Sequence, residues 1–253
     1  MLKKKKLFTS VIAVLLIISG ITAVAADGIS VLVYSRTAGF RHRDAIDAGN
    51  AVLTTMAQEQ GWRMSLTEDP AAFTKENLAN YDVVLFNNTT KNVLPEPSQR
   101  EALQSHIRAG GGFVGIHAAS DTLYDWEWYG KLIGAYFRGH PPGMQVATVK
   151  VEDPEHPTMQ GVASSFEIRD EWYWFRTNPR EHVHVLATLD RTSHEDLIKY
   201  SNGDHEADHP IIWCQEYDGG RIWYTGLGHD GGPVQDPRFI AMLRQGIIWV
   251  ANK

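Results

Sequence analysis

Cysteine is almost missing from these 253 residues: Cys214 stands alone, so no internal disulfide can form. It lies in the apolar run IIWC, which marks it as a small buried hydrophobe rather than a reactive thiol. The compact metal signatures are missing as well, with no H-E-x-x-H, no C-x-x-C and no EF-hand loop. Repeats, low-complexity tracts and long linkers are also lacking, which leaves one domain. Basic charge is scarce: 24 Lys and Arg face 30 Asp and Glu, and four of the lysines fall in the first 26 residues. Without that segment 20 cations face 30 acids, a net of −10. Such a chain is a poor nucleic-acid binder, because phosphate contacts need basic surface.

What is present starts with MLKKKKLFTSVIAVLLIISGITAVAADG. Four lysines, an apolar run and Ala23-Val24-Ala25-Ala26 follow the order of a secretory signal peptide, with cleavage expected after Ala25 or Ala26. The run is nearly long enough to span a bilayer, but the Ala-x-Ala site favours removal over anchoring. The expectation is a leader over 1–26, a single domain over 27–253, no membrane anchor after cleavage, and a secreted or periplasmic product. At 43% hydrophobic the chain can bury a sizeable core. Eight tryptophans, nine tyrosines and nine phenylalanines serve that core first, and a tryptophan surplus also suits stacking on sugar rings.

The pattern then alternates. ISVLVYS, WRMSLTED, YDVVLFNN and GFVGIHA read as strands. RDAIDAGNAVLTTMAQEQG, TKENLANY with Thr74 as N-cap, and PEPSQREALQSHIRAGG read as the helices between them. Continuous apolar strands separated by helices predict a parallel sheet covered on both faces. The second half is richer in strands, includes a hairpin across DGG in PIIWCQEYDGGRIWYTGLGH, and closes on the amphipathic helix PRFIAMLRQGIIWVANK.

In open parallel sheets ligands bind beyond the carboxyl ends of the strands, so strand ends nominate site residues without any motif. They yield Arg41 and His42, then Asn87, then His117 and Asp121, then His229. His117 is hard to explain as packing, since burying it requires a partner for each ring nitrogen. Glu171 in RDEWYWF is a carboxylate among aromatics, whose desolvation is expected to raise its pKa. His140 in FRGHPPG has a fixed backbone setting, and Trp172 or Trp174 offers a stacking face. A metal would have to be assembled by the fold from His42, His117, His140, His229 or Glu171, with zinc or manganese as the suited ions.

The segments VLVYSRTAGFRH, GGGFVGIHAASDT, FRGHPPG, HPTMQGV, IRDEWYWF, HPIIWCQEYDGGRIWYTGLGHD and the closing helix together resemble the ThuA-like (trehalose utilisation) family, over residues 29 to 251. The resemblance implies an α/β, flavodoxin-like fold similar to the class I glutamine amidotransferases: doubly wound, mostly parallel, with a β-rich C-terminal half. In those amidotransferases a cysteine occupies the strand-end elbow. Here the elbow residue is His117, and His229 is similar in position to the triad histidine, so glutamine hydrolysis is not expected. The resemblance implies a carbohydrate ligand, a disaccharide or 3-keto sugar. His117, His229 and Glu171 are the expected acid, base or metal-ligand groups. Arg41, His42, Asn87, Asp121, His140 and Trp172 are the expected substrate contacts. The alternative is a sugar-binding accessory protein without turnover.

Overall fold

The computed structural model describes residues 28–200 and 208–252, so the leader expected at 1–26 lies outside them. The described residues form, in chain order, β1 (Ser30–Tyr34), α1 (Arg43–Gln60), β2 (Arg63–Thr67), α2 (Lys75–Leu78), β3 (Val83–Asn87) and α3 (Pro97–Arg108). Next come β4 (Gly112–Ile116), α4 (Glu127–Ile133), β5 (Phe137–Gly139), β6 (Gln145–Val151), β7 (Ser165–Asp170) and β8 (Trp174–Phe175). β9 (His184–Asp190), α5 (Glu195–Lys199), β10 (Pro210–Tyr217), β11 (Gly220–Thr225), α6 (Gly231–Val234) and α7 (Pro237–Ala251) complete the chain.

Nine of these strands form one sheet in the order β2-β1-β3-β4-β11-β10-β9-β6-β7. From β2 to β11 the neighbours run parallel, and from β11 to β7 each neighbour is antiparallel. The strand-rich second half therefore extends the same sheet, and the β10–β11 hairpin is the seam. Its turn places Asp218 (φ 49°) and Gly219 (φ 100°) in the left-handed region, as a tight Asp-Gly hairpin requires.

Burial follows from this layout. β1, β3 and β4 are buried at every position, because helices cover both faces of the parallel half. On one face α1 approaches Asn87 through Gly49, and α7 approaches Trp223 through Gly246. On the other face Tyr129 of α4 stacks on Phe86, while Arg100 of α3 pairs with Asp125 just ahead of α4. β7, at the far edge, alternates exposed and buried residues, so its inward set is Phe166, Ile168 and Asp170. β5 and β8 form a separate two-stranded sheet, with Gly139 opposite Trp174. That pairing brings His140 alongside Glu171.

The three glycines that lead into β4, the last of them its first residue, each have a separate reason. Gly110 is left-handed (φ 93°) after α3. A Cβ on Gly111 would lie 2.2 Å from the His106 ring, and one on Gly112 would lie 2.6 Å from the Val250 carbonyl oxygen. The last clash is with backbone and cannot be relieved by a rotamer change. Gly112→Ala is therefore expected to destabilise the protein by roughly 1–3 kcal/mol in urea unfolding. An unchanged midpoint would show that α7 does not dock against β4 in this way.

Candidate functional site

Three histidines and a glutamate converge beyond the carboxyl ends of the parallel strands. His42 follows β1 at the start of α1, His117 follows β4, and His229 follows β11. Glu171 comes directly after β7. Ring centroids lie 5.1 Å apart for His42 and His117, 4.9 Å for His42 and His229, and 5.4 Å for His117 and His229. Glu171 Oε2 lies 3.0 Å from His229 Nδ1 and 3.5 Å from His117 Nε2. One ligand atom from each of the four residues falls within 4.8 Å of all the others.

His117 sits at the elbow in a left-handed backbone conformation (φ 45°), which costs a non-glycine residue about 1–3 kcal/mol. Its carbonyl oxygen accepts hydrogen bonds from the hydroxyls of Tyr224 (2.9 Å) and Ser120 (3.1 Å), and these hold the turn. Its Nδ1 lies 2.7 Å from the Gly226 carbonyl and must donate to it, which leaves the Nε2 lone pair facing the cluster. The face of its ring lies on Tyr173, 3.9 Å between centroids. His42 Nδ1, His117 Nε2 and His229 Nδ1 are all buried and make no well-aligned hydrogen bond. Three buried imidazole nitrogens sharing one carboxylate are under-satisfied on their own and match the donor set of a divalent metal.

The electrostatics separate the four groups. Burial, and then the neighbouring His117 and His229, pull His42 down to about 2, so its imidazole is neutral. Burial alone would raise the Glu171 carboxyl, but His117 and His229 outweigh it and hold the group well below the usual carboxylate range. The rise expected from desolvation among aromatics is therefore reversed by the two imidazoles. Burial lowers His229, yet its contact with Glu171 wins and its pKa is raised. His140 stands to one side, with Nδ1 3.1 Å from Glu171 Oε1 and 2.8 Å from the Pro141 carbonyl. Both neighbours are acceptors, so Nδ1 carries the proton and Nε2 keeps the lone pair. The His140 side chain is 37% exposed, which gives it access to a ligand.

The other residues singled out in the sequence lie outside the four converging groups. Asn87 is fully buried and donates to Ile46 O and Asn50 Oδ1, bracing α1 rather than a substrate. Trp172 is fully buried with its indole N–H on Gln145 O, and Trp174 is fully buried too, so neither offers a stacking face. Arg41 makes a two-pronged pair with Glu68. Asp121 pairs with Lys91 at 2.7 Å and accepts from the Tyr124 hydroxyl. A cleft of about 630 Å³ lies elsewhere, between α4 and β10, and contains none of the four converging residues.

Strand-end reasoning passed over Asp170, although alternation along β7 marks it as an inward-facing acid. Fully buried, it accepts from the backbone N–H groups of Gly228 (2.7 Å), His229 (3.0 Å) and Glu171 (2.8 Å). Burial raises its pKa, against the pull of His117 and these N–H groups. Asp170→Asn exchanges one acceptor for a donor and strands at least one buried N–H. The expected result is a loss of about 1–3 kcal/mol in urea unfolding, with zinc affinity about 10–100-fold weaker. Wild-type values for both would remove the clamp from the account.

Comparisons with known proteins agree with this architecture. No curated protein matches the chain. A ThuA-like protein from Bacteroides uniformis superposes with a TM-score of 0.74 at 25% identity, covering 91% of this chain and 95% of its own. A second, from Parabacteroides merdae, gives 0.67 at 19% identity, with 88% and 90% covered. A cytoplasmic protein of Salmonella typhimurium shares the fold at 0.59 and 13% identity, with 87% and 98% covered. The ThuA family, described as trehalose utilisation, matches residues 30–250, and the chain belongs to it.

Proposed function

We propose that this protein is an exported, metal-dependent enzyme of carbohydrate utilisation, acting on a disaccharide or its keto derivative. The observation that carries the reading is the set of three buried imidazole nitrogens converging on one carboxylate, with no well-aligned hydrogen bond among them. His42, His117, His229 and Glu171 would hold the ion. Three imidazoles suit zinc, and the carboxylate also admits manganese. The Gly226 carbonyl on His117 Nδ1 is the kind of outer partner that fixes a metal-binding histidine's orientation. When bound, a divalent ion supplies Lewis-acid polarisation of a substrate oxygen.

The residues supply the rest. His140 Nε2, with its lone pair directed away from Glu171, takes the proton from the carbon beside the sugar carbonyl or from a hydroxyl. Glu171 Oε1 steadies the resulting imidazolium through Nδ1. Membership in a trehalose-utilisation family supports the substrate class, and the lysine-led apolar leader with its Ala-x-Ala site supports export. The strand order β2-β1-β3-β4-β11 supports an amidotransferase-like ancestry for the fold. Glutamine hydrolysis is disfavoured because His117 holds the elbow. Cys214 lies in the antiparallel half, with its thiol pushed up to about 12 by burial.

Equilibrated with zinc or manganese, the protein is expected to hold close to one ion per chain by mass spectrometry. Saturation at a hundredfold excess over Kd should add about 2.7 kcal/mol to its unfolding free energy. His117→Ala and Glu171→Gln should each abolish that gain. A gain that survives in both variants would place the ion elsewhere. His140→Gln separates catalysis from binding: kcat should fall about 10²–10⁴-fold with metal content unchanged. Sugar binding without turnover in the metal-loaded wild type would favour the accessory-protein reading.

A further inference from the structure

Phe40 is the most exposed large hydrophobic side chain among the described residues, at 67%. It stands two positions before His42, and its ring meets the His42 ring edge-on at 4.8 Å. A phenyl group left in water forgoes the stabilisation that burial provides, and here the loop cannot fold it away. Thr90, itself buried, grips the loop by three hydrogen bonds. Its carbonyl accepts from Ala38 N (2.9 Å), and its hydroxyl accepts from Gly39 N (3.1 Å) and donates to Phe40 O (2.9 Å).

Polar groups are held in place beside the loop that carries the ring. The Lys91 stem occupies the space over Gly39, with its Cγ 2.6 Å from where a Cβ would stand, and its amine reaches Asp121 at 2.7 Å. Tyr124 donates to the same carboxylate, and its ring carries the exposed Arg176 guanidinium at 4.0 Å. An exposed apolar ring on a loop that packs against the Lys91–Asp121 pair matches a pyranose, which has a C–H face and a rim of hydroxyls. We infer that Phe40 is the platform on which a sugar ring lies to reach the histidine cluster, with Lys91 and Asp121 taking its hydroxyls. This rests on the carbohydrate reading above and assigns it a specificity-determining residue. The stacking face that Trp172 cannot provide is supplied by Phe40.

The test uses zinc-loaded full-length protein with trehalose, maltose and sucrose as probes. Ligand-observed NMR with saturation of the protein's aromatic protons reads which sugar protons lie on a ring, and calorimetry reads Kd. In the wild type, saturation is expected to reach mainly the C–H protons of one sugar face. Phe40→Ala should lose that pattern and bind about five- to tenfold more weakly, while Phe40→Tyr keeps both and all variants keep their zinc. If Phe40→Ala binds a sugar as tightly as wild type, the platform is overturned and the carbohydrate reading stands. If wild type binds none of the three, both are overturned. If Phe40→Ala loses zinc together with sugar, Phe40 serves to pack His42 and the inference is overturned.

Discussion

Asp170 is a carboxylate taken wholly out of water and surrounded by three backbone N–H groups. Those donors belong to two segments far apart in the chain: the loop that carries His229 and the residue that carries the Glu171 side chain. Because a buried carboxylate without such partners is very costly, the segments cannot drift apart without exposing or stranding it. Asp170 thus joins the parallel half of the sheet, where β11 delivers His229, to the far edge, where β7 delivers Glu171. A parallel core alone would supply His42, His117 and His229. The antiparallel extension is what brings their carboxylate.

The elbow at His117 completes the arrangement. Its left-handed backbone is held by Tyr224 and Ser120, and its ring is held by Gly226 and Tyr173. Strain kept in place by surrounding packing is expected where a side chain must be aimed. The product is a crowded group of imidazole nitrogens served by a single carboxylate, and a buried nitrogen left unmet costs about 1–3 kcal/mol. On the proposed reading, one cation would satisfy all the donors at once. His140 is exempt from that cost, being partly open to solvent, and so can serve the substrate.

Much of this was legible in the chain. The runs ISVLVYS, YDVVLFNN, GFVGIHA and RIWYTGLGH announce buried strands, and at or beyond the ends of three of them stand His42, His117 and His229. Reading strand ends works because a parallel sheet puts all its carboxyl ends on one edge. It fails where a residue's role depends on the opposite partner. Asn87 lies at a strand end but faces α1 through Gly49, so it braces a helix. Trp172 follows Glu171 in sequence, yet its indole turns inward to Gln145. The Glu171 pKa moves opposite to the rise its aromatic neighbours predict, because desolvation is visible in local sequence whereas imidazoles contributed by other strands are not. Nothing in the sequence sets Phe40 apart from the other aromatics, and only the folded loop shows that it is left uncovered.

The central claim is that His42, His117, Glu171 and His229 share one cation. It is met most directly by anomalous X-ray diffraction from crystals grown with zinc, recorded on both sides of the zinc absorption edge. A single strong peak is expected within bonding distance of His42 Nδ1, His117 Nε2, His229 Nδ1 and a Glu171 carboxylate oxygen. Density there that shows no anomalous change across the edge, with the zinc bound at other sites, would contradict it.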